Sequence, residues 1–142
     1  VTNSPDSRFW LASFSKQFTA ALTLLLVEEG AFGLDDPITA ILPDYPAAQG
    51  DVVTVRMLLT HTSGIPSMTG MDDFMQTRSN DAFTVDEMLA VFNEEAFDFE
   101  PGSQYAYNNS GYFLLGALPT CTAGTARSTA ARSSRTTLRS PL

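Results

Sequence analysis

A serine and a lysine three residues apart, Ser13 and Lys16, form the pattern in this chain most suited to covalent chemistry. They lie in Leu11-Ala12-Ser13-Phe14-Ser15-Lys16-Gln17-Phe18-Thr19-Ala20, which opens an apolar stretch predicting a helix over Phe14 to Glu29. Positions i and i+3 of a helix share a face, so the Ser13 hydroxyl and the Lys16 amine can meet. A serine is a weak nucleophile until a neighbour takes its proton. A lysine can do so if burial leaves it a neutral amine. At the helix start, Ser13 would also sit at the positive end of the helix dipole, which favours an oxyanion forming beside it. The plainer reading makes Ser13 a helix N-cap and Lys16 a solvated charge. Two features weigh against it. Leu22, Leu24, Leu25, Leu26 and Val27 make the helix apolar nearly all round, which predicts a buried central helix. Lys16 is also the only lysine in the chain.

A second candidate pair is Tyr107 and Asn109, in the polar loop Tyr107-Asn108-Asn109-Ser110-Gly111. A loop of this type between extended chain and a helix can present a phenol and an amide to a cleft. The phenol can relay a proton and the amide can hold a substrate carbonyl. Taken locally, tyrosine and asparagine are also ordinary turn residues. His61, the only histidine, stands at a predicted helix end and reads as a structural hydrogen-bonder rather than a catalyst. Ser63, before Gly64, reads as a turn residue.

The elements that must position these groups follow from local signals. Gly30 is a natural C-cap for the first helix. Phe9, Trp10 and Leu11 are expected to pack beneath its start. Asp35-Asp36-Pro37 opens a short helix through Leu42, with Pro37 near its first position, and Pro43 and Pro46 close it. Asp51-Val52-Val53 reads as extended. Thr54 looks like an N-cap for a turn or two over Val55 to Thr60. A short helix over Asp72 to Thr77 is expected within a polar connecting segment. Thr84-x-x-Glu87 is a capping box opening a helix to Glu94, with Val85, Met88, Leu89 and Phe92 at helical spacing for a core face. Pro101-Gly102 marks a turn, Gln104 to Tyr107 reads as extended, and Tyr112 to Leu118 starts a last apolar helix.

Composition bounds the function. With 142 residues and 44% apolar content, the chain is long enough for one domain. The net charge of −8 argues against nucleic acid or an anionic membrane as partner. No apolar run reaches membrane-span length, and no signal peptide is present in this chain. One His and one Cys do not make a metal-ligand set, and no glycine loop for a nucleotide is present, so no cofactor is expected. All 16 acidic residues lie at or before Glu100, whereas four of the eight basic ones follow Gly116. Residues 119–142 contain no aromatic and no acidic side chain and show no apolar periodicity. They read as an atypical Ala/Arg/Ser/Thr-rich tail, disordered or frame-shifted.

Together the pieces resemble the serine penicillin-recognising family of class C β-lactamases, D,D-peptidases and related esterases. Four blocks in the family's order carry the resemblance over residues 5–118. They are the Ser13-x-x-Lys16 segment, Leu34-Asp35-Asp36-Pro37-Ile38, Leu58-Leu59-Thr60-His61-Thr62-Ser63-Gly64-Ile65-Pro66, and Tyr107-Asn108-Asn109-Ser110-Gly111-Tyr112-Phe113-Leu114-Leu115-Gly116. The resemblance implies an α/β (α+β) fold of β-lactamase/transpeptidase type, of which residues 1–118 hold mostly the helical subdomain while most of the antiparallel sheet is missing. It implies Ser13 as the acylated nucleophile, Lys16 and Tyr107 as its joint proton acceptors, and Asn109 as the amide facing substrate. The implied activity is hydrolysis through an acyl-enzyme of a β-lactam, a D-alanyl peptide or a small ester. A non-catalytic truncated fragment or scaffold-only binding protein is the alternative. A periplasmic or secreted location would fit the family. One departure is clear: no Lys-Thr-Gly tripeptide or variant follows Tyr107. In the family that strand supplies an oxyanion donor, and losing one such donor costs about 10² to 10³ in rate.

Overall fold

The computed structural model describes residues 2–71, 74 and 82–118. The expected helix at 72–77, apart from Phe74, and the tail at 119–142 lie outside the described residues. The chain enters through a 3-10 turn, Ala12–Ser15, that runs directly into helix α1, Lys16–Glu28. Ser13 therefore sits in the turn before the helix, and α1 begins two residues later than the sequence pattern suggests. Gly30 ends α1 as expected. It adopts φ +75°, its N–H donates to the Val27 carbonyl at 3.0 Å, and the Ala31 N–H donates to Leu26 at 2.9 Å. This is the two-bond closure that a residue free to go left-handed allows.

Four short helices follow. Helix α2 is Ile38–Ile41, α3 is Ala47–Gly50, α4 is Val55–Leu59 and α5 is Val85–Leu89. A final helix, α6, covers 109–118. Pro37 stands one place before α2 rather than inside it, and Pro46 starts α3 rather than merely closing α2. The stretch expected to be extended at 51–53 is mostly turn. Its sheet character survives only as an isolated bridge between Pro37 and Thr54, with the Ile38 N–H donating to the Val53 carbonyl at 3.0 Å. No strand occurs among the described residues. Thr54 does cap α4, accepting from the Met57 N–H. The Thr84–Glu87 capping box is formed at both bonds.

Ile38, Val53, Val55, Leu58, Ile65, Phe92, Leu114, Leu115 and Leu118 form the buried core, which α2, α4 and α6 share. Buried Gln49 ties α3 to the chain after α5 through bonds to the Phe92 and Glu95 carbonyls, and the Tyr45 hydroxyl satisfies its remaining oxygen. Val85 of the predicted core face points outward instead. It sits in the first turn of α5, where Leu89 packs against the core and Met88 is half-buried.

The largest departure from expectation concerns α1. It is not buried all round. Lys16, Thr19, Ala20, Thr23, Leu26 and Val27 face the rest of the protein, a stripe at helical spacing. Phe14, Phe18, Leu22 and Leu25 face outward and are about half exposed or more. Trp10 is 94% exposed, and Phe9 and Leu11 are also open, so none packs beneath the helix start. All-round apolarity calls for cover on every side, and the described residues supply it on one side only.

Candidate active site

Two segments distant in sequence converge at the start of α1. The 3-10 turn presents Ser13 and the first turn of α1 presents Lys16, while the loop before α6 presents Tyr107 and the first residue of α6 is Asn109. The Tyr107 hydroxyl donates to Ser13 Oγ at 2.7 Å. Lys16 Nζ lies 3.5 Å from Ser13 Oγ and donates to Asn109 Oδ1 at 2.7 Å. Nζ also stands 5.1 Å from the centre of the Tyr107 ring and 5.6 Å from that of Tyr112. All four residues singled out by their types and spacing thus meet in one hydrogen-bonded cluster. Ser13 is not an N-cap. The capping position of α1 is Ser15, whose hydroxyl donates back to the Ala12 carbonyl at 2.8 Å.

Backbone geometry aims these groups. Ala12, immediately before Ser13, has φ +44°, a left-handed conformation that costs a side chain with a Cβ about 1 to 2 kcal/mol. Strain of this sort persists only where surrounding structure holds it. On the opposite side, Asn108 caps α6. Its Oδ1 accepts the Gly111 N–H at 2.7 Å, and its amide nitrogen donates to the Ile65 carbonyl. Tyr107 and Asn109, on either side of this buried anchor, are both directed toward α1.

Electrostatics follow from the same contacts. Lys16, and then the Ser13 hydroxyl, hold the Tyr107 phenol below its ordinary range. Burial, with Tyr107 and Tyr105 nearby, raises Tyr112. Burial, with the Lys16 charge, lowers His61. A tyrosine that ionises more easily, beside a serine hydroxyl and a lysine, can take a proton from that serine or return one. The cluster is open to solvent, with Ser13 and Tyr107 exposed. A cavity of about 350 Å³ lined by Leu42, Tyr45, Asp86, Leu89 and Asn93 shares no residue with it.

Three further hydroxyls support Asn109 and were not evident from the sequence. Ser67 Oγ accepts the Asn109 N–H at 3.2 Å, and Thr69 Oγ1 accepts from its amide nitrogen at 2.8 Å. Ser110 Oγ accepts the Met68 N–H at 2.7 Å, clipping the two segments together. Ser67 and Thr69 belong to a segment that reads as polar connection, and their partner lies about 40 residues away, so no local signal marks them.

A model of the Beta-lactamase family matches residues 1–137. Penicillin-binding protein 4* of Bacillus subtilis (strain 168) is 38% identical over 115 residues, covering 80% of this chain and 25% of that protein. Among solved structures, a penicillin-binding protein from Bacillus halodurans superposes with a TM-score of 0.74 at 34% identity, over 87% of this chain and 37% of the other. A D-stereospecific amidohydrolase from Streptomyces sp. superposes with a TM-score of 0.73 at 34% identity, over 85% and 39%. The chain spans about a quarter of the length of the curated relatives it matches.

Proposed function

The chain belongs to the β-lactamase family, and from that premise we propose that it carries the nucleophile-bearing part of a serine hydrolase acting through an acyl-enzyme on Ser13. The observation that carries this reading is the short Tyr107–Ser13 hydrogen bond, made beside Lys16 and Asn109. Lys16 and Tyr107 serve jointly as the proton acceptor for Ser13, with Lys16 favouring the ionised form of the phenol. Ser13 Oγ then attacks the substrate carbonyl. The bond to the leaving nitrogen or oxygen breaks, and that atom departs with the proton from the Lys16–Tyr107 pair. Water subsequently adds to the acyl carbon, the acid leaves, and the Ser13 hydroxyl is restored. Asn109 orients the substrate carbonyl or amide while its own side chain is held by Lys16 and Thr69.

The substrate class we propose is an amide or ester whose acyl part resembles a D-amino acid: a D-alanyl peptide, a D-aminoacyl amide, a β-lactam or a small ester. Among the relatives, the name of the D-stereospecific amidohydrolase supports amide cleavage with D-configuration, and those of the penicillin-binding proteins support binding of a β-lactam. The test is covalent labelling of the whole chain by a fluorescent penicillin and by a fluorophosphonate. Wild type is expected to label and Ser13→Ala to remain unlabelled. Labelling that survives the substitution would place the nucleophile elsewhere. A scaffold-only binding role is the second reading, favoured by the open apolar face of α1 beside the site. Penicillin binding that is reversible and unchanged in Ser13→Ala would select it.

A further inference from the structure

His61 takes no part in the chemistry above, yet it grips the segment carrying Tyr107 at two points. Its carbonyl accepts the Ala106 N–H at 2.9 Å, and its ring Nδ1 accepts the Asn108 N–H at 3.1 Å. The two amides flanking Tyr107 are therefore both held by one residue. The imidazole also packs against the Tyr107 ring at 4.7 Å and the Tyr112 ring at 4.9 Å, with Tyr105 edge-on at 5.8 Å. The backbone at His61 is left-handed, φ +58°, a conformation that turns the end of α4 toward this loop. A ring nitrogen that accepts an N–H bears no proton of its own, so the Asn108 contact assigns the imidazole proton to Nε2.

We propose that His61 is a positioning residue for Tyr107: its carbonyl and its neutral imidazole clamp the amides on the two sides and fix the phenol on Ser13, and a proton on Nδ1 opens the Asn108 side of the clamp. This rests on the reading of Ser13 as nucleophile. The second proton of an imidazolium must go to Nδ1, where it would face the Asn108 N–H, donor against donor. The groups facing the ring are Lys16 from α1, Tyr105 and Tyr107 from the loop, and Tyr112 from α6. Burial, and then the Lys16 charge, oppose a further positive charge there, so the clamp stays closed until the pH falls below the ordinary histidine value of 6.5. Displacing a reacting group by as little as an ångström can slow a reaction by about 10²-fold.

The experiment follows His61, the Asn108 amide and the Tyr107 ring by NMR across pH in the whole chain, alongside the fluorophosphonate labelling rate. The imidazole should be the Nε2–H tautomer with a midpoint below 6.5. The Asn108 amide, the Tyr107 ring and the acid limb of labelling should share that midpoint. His61→Asn offers an oxygen where Nδ1 stood, tolerates the left-handed backbone and does not titrate. It should retain labelling at neutral pH and lose the step at the His61 midpoint, whereas His61→Ala should slow labelling by about 10²-fold. An Nδ1–H tautomer, or an Asn108 amide indifferent to the His61 titration, overturns the clamp. A step at the wild-type His61 midpoint that persists in His61→Asn overturns its control of the rate. If the NMR midpoints coincide but wild type never labels, the clamp on Tyr107 stands and the Ser13 reading fails.

Discussion

Tyr107 is where the proposed chemistry can be interrogated most directly. Its phenol contacts Ser13, and the adjacent Lys16 makes its ionised form easier to reach. The sign is simple: a phenol held below 10 loses its proton at lower pH than a free tyrosine, so labelling of Ser13 should rise through a midpoint below 10. Lys16→Met removes both the charge and the hydrogen bonds. We expect that midpoint to move up toward 10 and the neutral-pH rate to fall by about 10² or more. Tyrosine-resolved NMR titration beside pH-dependent labelling checks this. An unmoved Tyr107 midpoint in Lys16→Met would mean that the lysine does not tune the phenol.

Among the elements, the segment from α4 through Ile65 carries the most positioning. The cap from Thr54 starts α4, and the chain then turns at His61 and Gly64 and receives the returning chain after α5. The Asp98 N–H donates to the Gly64 carbonyl and the Gly102 N–H to Thr62, both at 2.8 Å. Gly64 has φ +72°, and a Cβ there would fall 2.3 Å from the Phe99 carbonyl oxygen. Backbone on both sides prevents relief. Gly64→Ala should therefore destabilise the fold by about 1 to 3 kcal/mol. A denaturation midpoint lowered at constant slope would confirm this, and an unchanged midpoint would show that the 61–66 turn and the 98–102 segment can separate freely.

At the scale of the whole molecule, the outward face of α1 dominates. Phe14, Phe18, Leu22 and Leu25, with Phe9, Trp10 and Leu11 nearby, make one contiguous stretch of exposed apolar side chains. A patch of this kind drives association in water. The chain is expected to self-associate with rising concentration. The double substitution Phe18→Glu with Leu25→Glu should suppress that association and the binding of a hydrophobic dye, while leaving the helical signal unchanged. Both positions lie on the outer face, away from the core. Association undiminished in the double variant would mean that another surface drives it. No helix among the described residues is long and apolar enough to cross a membrane.

What could be read from the sequence divides along the range of the interactions involved. The Gly30 terminus, the Thr54 cap and the Thr84–Glu87 box are each made within five residues, and each is present where its residues predicted it. The meeting of Ser13 with Lys16 is likewise a matter of one helical turn. Tyr107 and Asn109 are about 94 residues from their partners, and only resemblance to a family connected them to Ser13 beforehand. Ser67 and Thr69 had no such guide, and His61 was legible as a structural hydrogen-bonder but not in its partners, because a hydroxyl or imidazole in a turn looks the same whichever distant amide reaches it. The exposure of Trp10 and of one side of α1 was decided by tertiary structure alone. Apolar periodicity records that a surface calls for cover, and only the arrangement of the other elements determines which side receives it.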